Sequence, residues 1–167
     1  MGGRSVTQGH AGAARAAGGS GRPDGAAVAR AAEQRAAGTT VRFTVETLEH
    51  LRQGGRLGPL AATLGTVLGL RPVLVVKDGR IDVAEKVRTS ARARDRVIEL
   101  AIADAQRRSR VEMAVHHLGD EDGAERVAER LRGACGSRLA AVHVAEISAV
   151  VGAHAGPGLL AVVVGDA

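Results

Sequence analysis

Three stretches of this 167-residue chain combine residue types that grip anions. The first runs from Val151 to Gly158, where His154 sits among Gly152, Gly156 and Gly158 and Pro157 stiffens the turn. Glycine lets a backbone approach a ligand closely, and an imidazole donates a hydrogen bond to an anionic headgroup or changes charge near neutral pH. The second is Leu51 to Gly58, in which Gly54 and Gly55 precede Arg56. Paired glycines expose backbone N–H groups as an anion nest, and a guanidinium grips a carboxylate or phosphate at two points. The third is Glu85-Lys86-Val87-Arg88, followed by Arg92 and Arg96, three arginines four residues apart and so in a row along a helix or its entry. Each has a plainer alternative: a structural histidine in a glycine-rich loop, a helix C-cap with a surface arginine, and a solvated charged face.

No catalytic set emerges from the same residues. Ser148 precedes His154 by six positions but lacks the glycine-flanked strand-to-helix elbow of a hydrolase. His116 and His117 are neighbours in a strand-like run, point to opposite faces and cannot share a metal. Asp120, Glu121 and Asp122 suit the first turn of a helix, where the dipole favours acids. Phosphate-loop and dinucleotide signatures are absent, and a single cysteine, Cys135, excludes an internal disulfide. The expectation is a binding protein with no cofactor or metal, not an enzyme.

Charge and composition narrow the partners. Up to Phe43 there are six arginines against Asp24 and Glu33, whereas the remainder is close to neutral, so the net charge of +5 comes mostly from an Ala/Gly/Arg-rich leader. Phe43 is the only aromatic residue, which removes the stacking platform that single-strand binders use. Basic charge alone supports only weak, salt-sensitive adhesion to phosphates, so no specific nucleic acid is expected. With 45% hydrophobic residues but no run long enough to span a bilayer, the chain reads as one cytoplasmic globular domain.

The elements that must position these residues follow from periodicity. Residues 1–39 form a helical leader: a short helix over Ala11–Ala17, a turn, then a helix capped by Asp24 and running to about Ala37. Residues 40–167 hold the folded domain. Thr40–Val45 alternates as a strand, Glu46–Arg52 is a short helix ended by Gly54-Gly55, and Pro59–Leu68 is a second helix. Arg71–Lys77 and Arg80–Val87 form a hairpin about Asp78-Gly79. Thr89 caps a helix over Ala91–Arg107, and Val111–His116 is a strand. Asp120 caps a helix to about Gly133, Leu139–Ile147 is a strand, and the apolar Gly158–Val164 run is a buried strand. Strands alternating with helices, plus one hairpin, predict an α/β fold in which a mixed β-sheet packs with α-helices.

Several short motifs, in order, resemble the C-terminal lobe of the DegV family of bacterial fatty-acid-binding proteins. They are FTVETLEHLRQGGRLG at 43–58, LRPVL at 70–74, KDG at 77–79, EKVRT at 85–89, EI at 146–147 and GAHAGPG at 152–158, with a fainter echo over Ser5–Ala17. The resemblance implies a carrier that holds a long-chain fatty acid between two lobes and presents its carboxylate to a separate fatty acid kinase, a step in phospholipid synthesis. On that pattern His154 contacts the carboxylate, with Arg56, Gly55 and Gly156 in the polar network around it, while Arg88 and Arg92 lie where the kinase docks. Where the family usually has threonine on both sides of the histidine, this chain has Ala153 and Ala155, which removes two hydroxyls. The family's N-terminal lobe, with its threonine and glycine-serine headgroup loop, has no counterpart here, so a truncated form is expected. The alternatives are a protein-interaction module that has lost lipid binding and a weakly nucleic-acid-associated basic protein.

Overall fold

The apolar run near the C-terminus lies in the middle of the sheet, where both faces are covered. In the computed structural model, which describes residues 24–55, 69–77 and 79–167, this run is β6 (Leu160–Asp166), buried at every position before Asp166. On one side β6 pairs antiparallel with β1 (Thr40–Thr44), which pairs with β2 (Arg71–Lys77), which pairs with β3 (Arg80–Val87). On the other it pairs antiparallel with β4 (Val111–His117), whose outer neighbour β5 (Leu139–Glu146) runs parallel to it. The six-stranded order is β3-β2-β1-β6-β4-β5, the mixed α/β sheet that the sequence predicts.

Five described helices accompany it: α1 (Gly25–Ala37), α2 (Glu49–Gln53), α3 (Ser90–Ala105), α4 (Glu121–Cys135) and α5 (Ala149–Ala155). A side-chain oxygen starts each of the longer ones by taking an orphan N–H. Thr89 accepts from the Arg92 amide at 3.1 Å and Asp120 from the Gly123 amide at 3.0 Å. Asp24 does the same for α1, accepting from the Ala26 amide at 3.3 Å. The expected helices over Ala11–Ala17 and Pro59–Leu68, and residue Asp78 of the hairpin turn, lie outside the described residues; Gly79 turns at φ 72°.

Side chains alternate across the sheet, and the two faces are covered unequally. On one face α3 and α4 bury Val97, Ile98, Ala101, Val127 and Leu131 against Met113, Val115, Leu160, Val162 and Val164. On the other, the short α2 and α5 cover Phe43, Val45, Leu74 and Ala161 with Leu51, Ala155 and Leu159. Helix α1 has no buried residue; its Arg35 forms an ion pair with Glu112 of β4.

An ion network closes one end of the sheet. Arg108 donates to the Gly38 carbonyl at 2.8 Å, to Thr40 Oγ1 at 3.0 Å and to Asp166 at 3.1 Å. Asp104 accepts from Arg42 at 3.2 Å and from Arg108 at 3.4 Å. Burial pushes the Asp104 carboxyl up, but hydrogen bonds from Thr40, Arg42 and Arg108 outweigh it and hold the group below its ordinary value. A carboxyl lowered in the fold stabilises it above the unfolded value, and that contribution is lost as pH falls through the folded value. Asp104→Asn is therefore expected to be less stable than the unaltered chain at pH 7, with the gap closing below about pH 4. Urea unfolding at stepped pH measures this, and a gap that stays constant to pH 3 contradicts it.

Candidate anion site at the seam between two short helices

Both short helices leave the same end of the sheet. β1 ends beside the start of β6, and β4 ends there too, with Thr44 opposite Leu160 and His117 opposite Leu160. A five-residue and a seven-residue helix are too short to persist alone, so tertiary anchors fix them. Leu51 (3% exposed) pins α2, and Ala155 (4% exposed) pins α5, both into the cluster around Phe43 and Leu74. Ser148 caps α5 by accepting from the Val151 amide at 3.5 Å.

The helix α5 corrects the sequence reading. Gly152, Ala153, His154 and Ala155 are helical, and only Gly156-Pro157-Gly158 forms a turn. The Gly152 amide donates to the Ser148 carbonyl at 2.9 Å and the Gly156 amide to the Gly152 carbonyl at 2.8 Å. Gly152 is buried beside Leu118, where a Cβ would sit at ordinary contact distance, 3.4 Å from Leu118 Cδ1.

Between the two segments runs a seam of side chains laid on glycine backbones. The Glu46 side chain covers Gly158, the His50 ring covers Gly156, and the His154 ring covers Gly54. The pairs step in opposite directions along the two segments, so the segments run antiparallel. A Cβ on Gly54 would overlap His154 Nδ1, and one on Gly156 would lie 2.8 Å from His50 Nε2 and closer still to its Cδ2. Gly156 and Gly158 also turn at φ 77° and φ 78°, in the left-handed region that glycine favours. Glu46 is held in turn by Ser90, whose hydroxyl donates to Oε2 at 3.4 Å, and by Arg71 at 3.9 Å.

His154 is half-buried, and neither of its ring nitrogens has a hydrogen-bond partner among the described residues; the same holds for His50. The charged residues of α2 satisfy one another instead. Arg52 Nε and Gln53 Nε2 both donate to Glu49 at 2.8 Å, pulling the Glu49 carboxyl down to about 2.

The other expected site residues are distributed as follows. Gly55 turns at φ 67° directly after α2, and Gly156 lies under His50. Arg56 lies outside the described residues. Arg88 is exposed at the end of β3, without a hydrogen bond or ion pair among the described residues. Its expected companions are engaged. Arg92 pairs with Glu99 at 2.8 Å, and Arg96 reaches both Glu99 and, at 2.7 Å, Glu85 of β3. The hydrogen bond from Arg96 holds Glu85 below its ordinary carboxyl value. The row of arginines is therefore largely neutralised, leaving Arg88 as its free cation. His50 escaped the sequence reading; its signal was its place one turn before Gly54.

The described residues thus form a mixed α/β lobe with two glycine-backed imidazoles at one end of its sheet. Comparison with known proteins places it: the chain belongs to the DegV family, matching over residues 9–166 the family model described as "Uncharacterised protein, DegV family". A DegV domain-containing protein of Streptomyces coelicolor is 50% identical over 134 residues, covering 80% of this chain and 47% of that protein. A solved DegV family protein from Thermus thermophilus, described by its fatty acid binding, superposes with TM-score 0.79 at 32% identity, covering 99% of this chain and 57% of that one. DegV of Bacillus subtilis, described as a fatty acid binding protein, gives TM-score 0.71 at 28% identity, covering 86% of this chain and 50% of that one. The chain thus spans about half the length of the relatives it matches.

The seam predicts a coupling that can be measured. Gly54→Ala should destabilise the fold by about 1–3 kcal/mol through overpacking against His154. Adding His154→Ala should relieve most of that cost, giving a coupling of roughly 0.5–3 kcal/mol in a double-mutant cycle read by urea unfolding. Strict additivity would show that the two residues do not touch.

Proposed function

We propose that this chain binds a long-chain fatty acid, with its carboxylate at the α2–α5 seam, and presents it to a fatty acid kinase. The observation that carries the reading is His154, a half-buried imidazole seated on Gly54 with no hydrogen-bond partner among the described residues. Buried polar groups are normally satisfied, and an imidazole Nε2–H turned from its backing glycine suits a carboxylate oxygen. Membership of a family whose solved members from Thermus thermophilus and Bacillus subtilis are described as fatty acid binding supports an acyl ligand. The described residues would form one wall of such a site, with Gly55 and Gly156 bordering the headgroup, and the family pattern would add Arg56 to them. Among the described residues no cluster of three or more His, Cys, Asp or Glu suits a metal, and no helix is long and apolar enough to cross a membrane.

Binding is tested on the purified chain by solvent extraction and mass spectrometry, which should find a long-chain fatty acid in near-stoichiometric amount. His154→Ala should weaken that affinity about tenfold, the loss of one hydrogen bond to a charged group. Lipid no higher than in a blank extract overturns the reading.

Docking is read through Arg88, a free cation two residues before Ser90, which contacts Glu46 of the seam. Arg88→Glu should abolish kinase-dependent phosphorylation of the bound acid while its affinity is unchanged. Arg92→Glu should act more weakly, because Glu99 already neutralises Arg92. Equal phosphorylation by the Arg88 variant and the unaltered chain removes Arg88 from the docking surface.

A further inference from the structure

We infer that Val150 is a contact for the acyl chain, so that the ligand lies along the outward face of α5 with its carboxylate at His154. The inference rests on the fatty-acid reading and deepens it by assigning a residue to the chain rather than to the headgroup.

Burial fixes which face of α5 looks outward. Gly152 and Ala155 are its buried residues, and with about 3.6 residues per turn the opposite side carries Val150, Ala153 and His154. Ala153 and His154 follow Val150 by three and four positions, the spacings that make neighbours on a helix surface. Val150 is 70% exposed, and among the described residues no other large hydrophobic side chain is more than half exposed.

A lone exposed valine is ordinary on a protein surface, but the two local causes that would place one here are absent. Val150 belongs to none of the core clusters. Nor does it serve the helix, which has only seven residues, because a β-branched side chain is a poorer helix former than alanine.

The surroundings of His154 are polar in one direction and apolar in another. On the α2 side lie Glu46, Glu49 and Arg52, with side chains 50%, 45% and 63% exposed. Back along α5 the exposed residues are Ala153, Val150, Ala149 and the capping Ser148. The first charged side chain in that direction is Glu146, which already accepts from the Gly119 amide at 3.0 Å. Half-buried Leu118 and Ile147 flank the helix at Gly152, where a Cβ would lie 3.4 and 3.9 Å from them. An amphiphile fits that order, with its anionic head at the polar seam and its chain over Val150. Covering Val150 removes from water an apolar side chain that the fold itself leaves exposed.

Methyl spectra of the unaltered chain with palmitate test the contact directly. Nuclear Overhauser effects should connect the Val150 methyls to methylenes of the bound chain. Bound palmitate without them overturns the inference and leaves the fatty-acid reading standing, whereas a chain that does not bind palmitate overturns both. Val150→Thr keeps the side chain's shape but sets a hydroxyl against the ligand, so the Kd for palmitate should rise about tenfold. An unchanged Kd overturns the inference. An unchanged Kd with loss of kinase-dependent phosphorylation also overturns it, and assigns Val150 to a protein contact instead.

Discussion

The ring of His154 lies so close to the backbone of Gly54 that a methyl group there would overlap its Nδ1. That contact, repeated with His50 on Gly156 and Glu46 on Gly158, decides the geometry of everything at this end of the sheet. Helices of five and seven residues have almost no intrinsic stability, so α2 and α5 owe their direction to Leu51 and Ala155 beneath them and to the seam between them. Ring orientation follows from the same cause. An imidazole packed against backbone has few rotamers left, so it would lose little entropy in the proposed contact with a ligand.

The rest of the molecule supplies a floor rigid enough for so fine a contact. The larger core lies on the opposite face, where Val97 and Leu131 of two helices of 16 and 15 residues and Met113, Val115, Val162 and Val164 of the strands beneath them are fully buried. The strong structural electrostatics is also kept apart from the seam. Asp104, Arg108, Arg42 and Asp166 interlock where β1 begins and β6 ends, whereas the seam lies where β1 ends and β6 begins. The cations of that network are engaged by carboxylates at that end of the sheet. Short elements seated on a well-packed sheet are a common arrangement for a binding site.

Much of this was legible in the sequence because the local signals agreed with the tertiary outcome. Alternation at Val41, Phe43 and Val45, capping residues at Asp24, Thr89 and Asp120, and the continuous apolar run of β6 each meant one thing only. The failures share a different cause, since each depended on a partner distant in the chain. Glycines at 152, 156 and 158 read as a loop, yet Gly152 lies inside a helix that Ser148 caps and that buried Ala155 anchors in the distant cluster of Phe43 and Leu74. Arg92 and Arg96 read as an open basic row, but Glu85 reaches Arg96 only because the β2–β3 hairpin lies beside α3. His50 looked like one polar residue among many on a charged helix. Its packing appears only when the turn after α5 is laid across it, a contact between residues about a hundred positions apart.

The alanines beside His154 carry unequal weight once α5 is seen as a helix. Ala155 is 4% exposed in the cluster of Phe43, Leu51 and Leu74. A hydroxyl there would be buried among apolar side chains, satisfied at best by the carbonyl one turn back. Alanine at 155 thus suits the packing that anchors the helix and takes little from a ligand. Ala153 is exposed, so a hydroxyl at that position would face solvent or ligand, and its replacement removes a donor that the family pattern supplies. On the proposed reading, donation at this wall would fall on His154, whose ring packs against Gly54 across the seam. The glycine at 54 would then matter to the proposed recognition as much as the histidine packed on it, because a Cβ there would displace the ring.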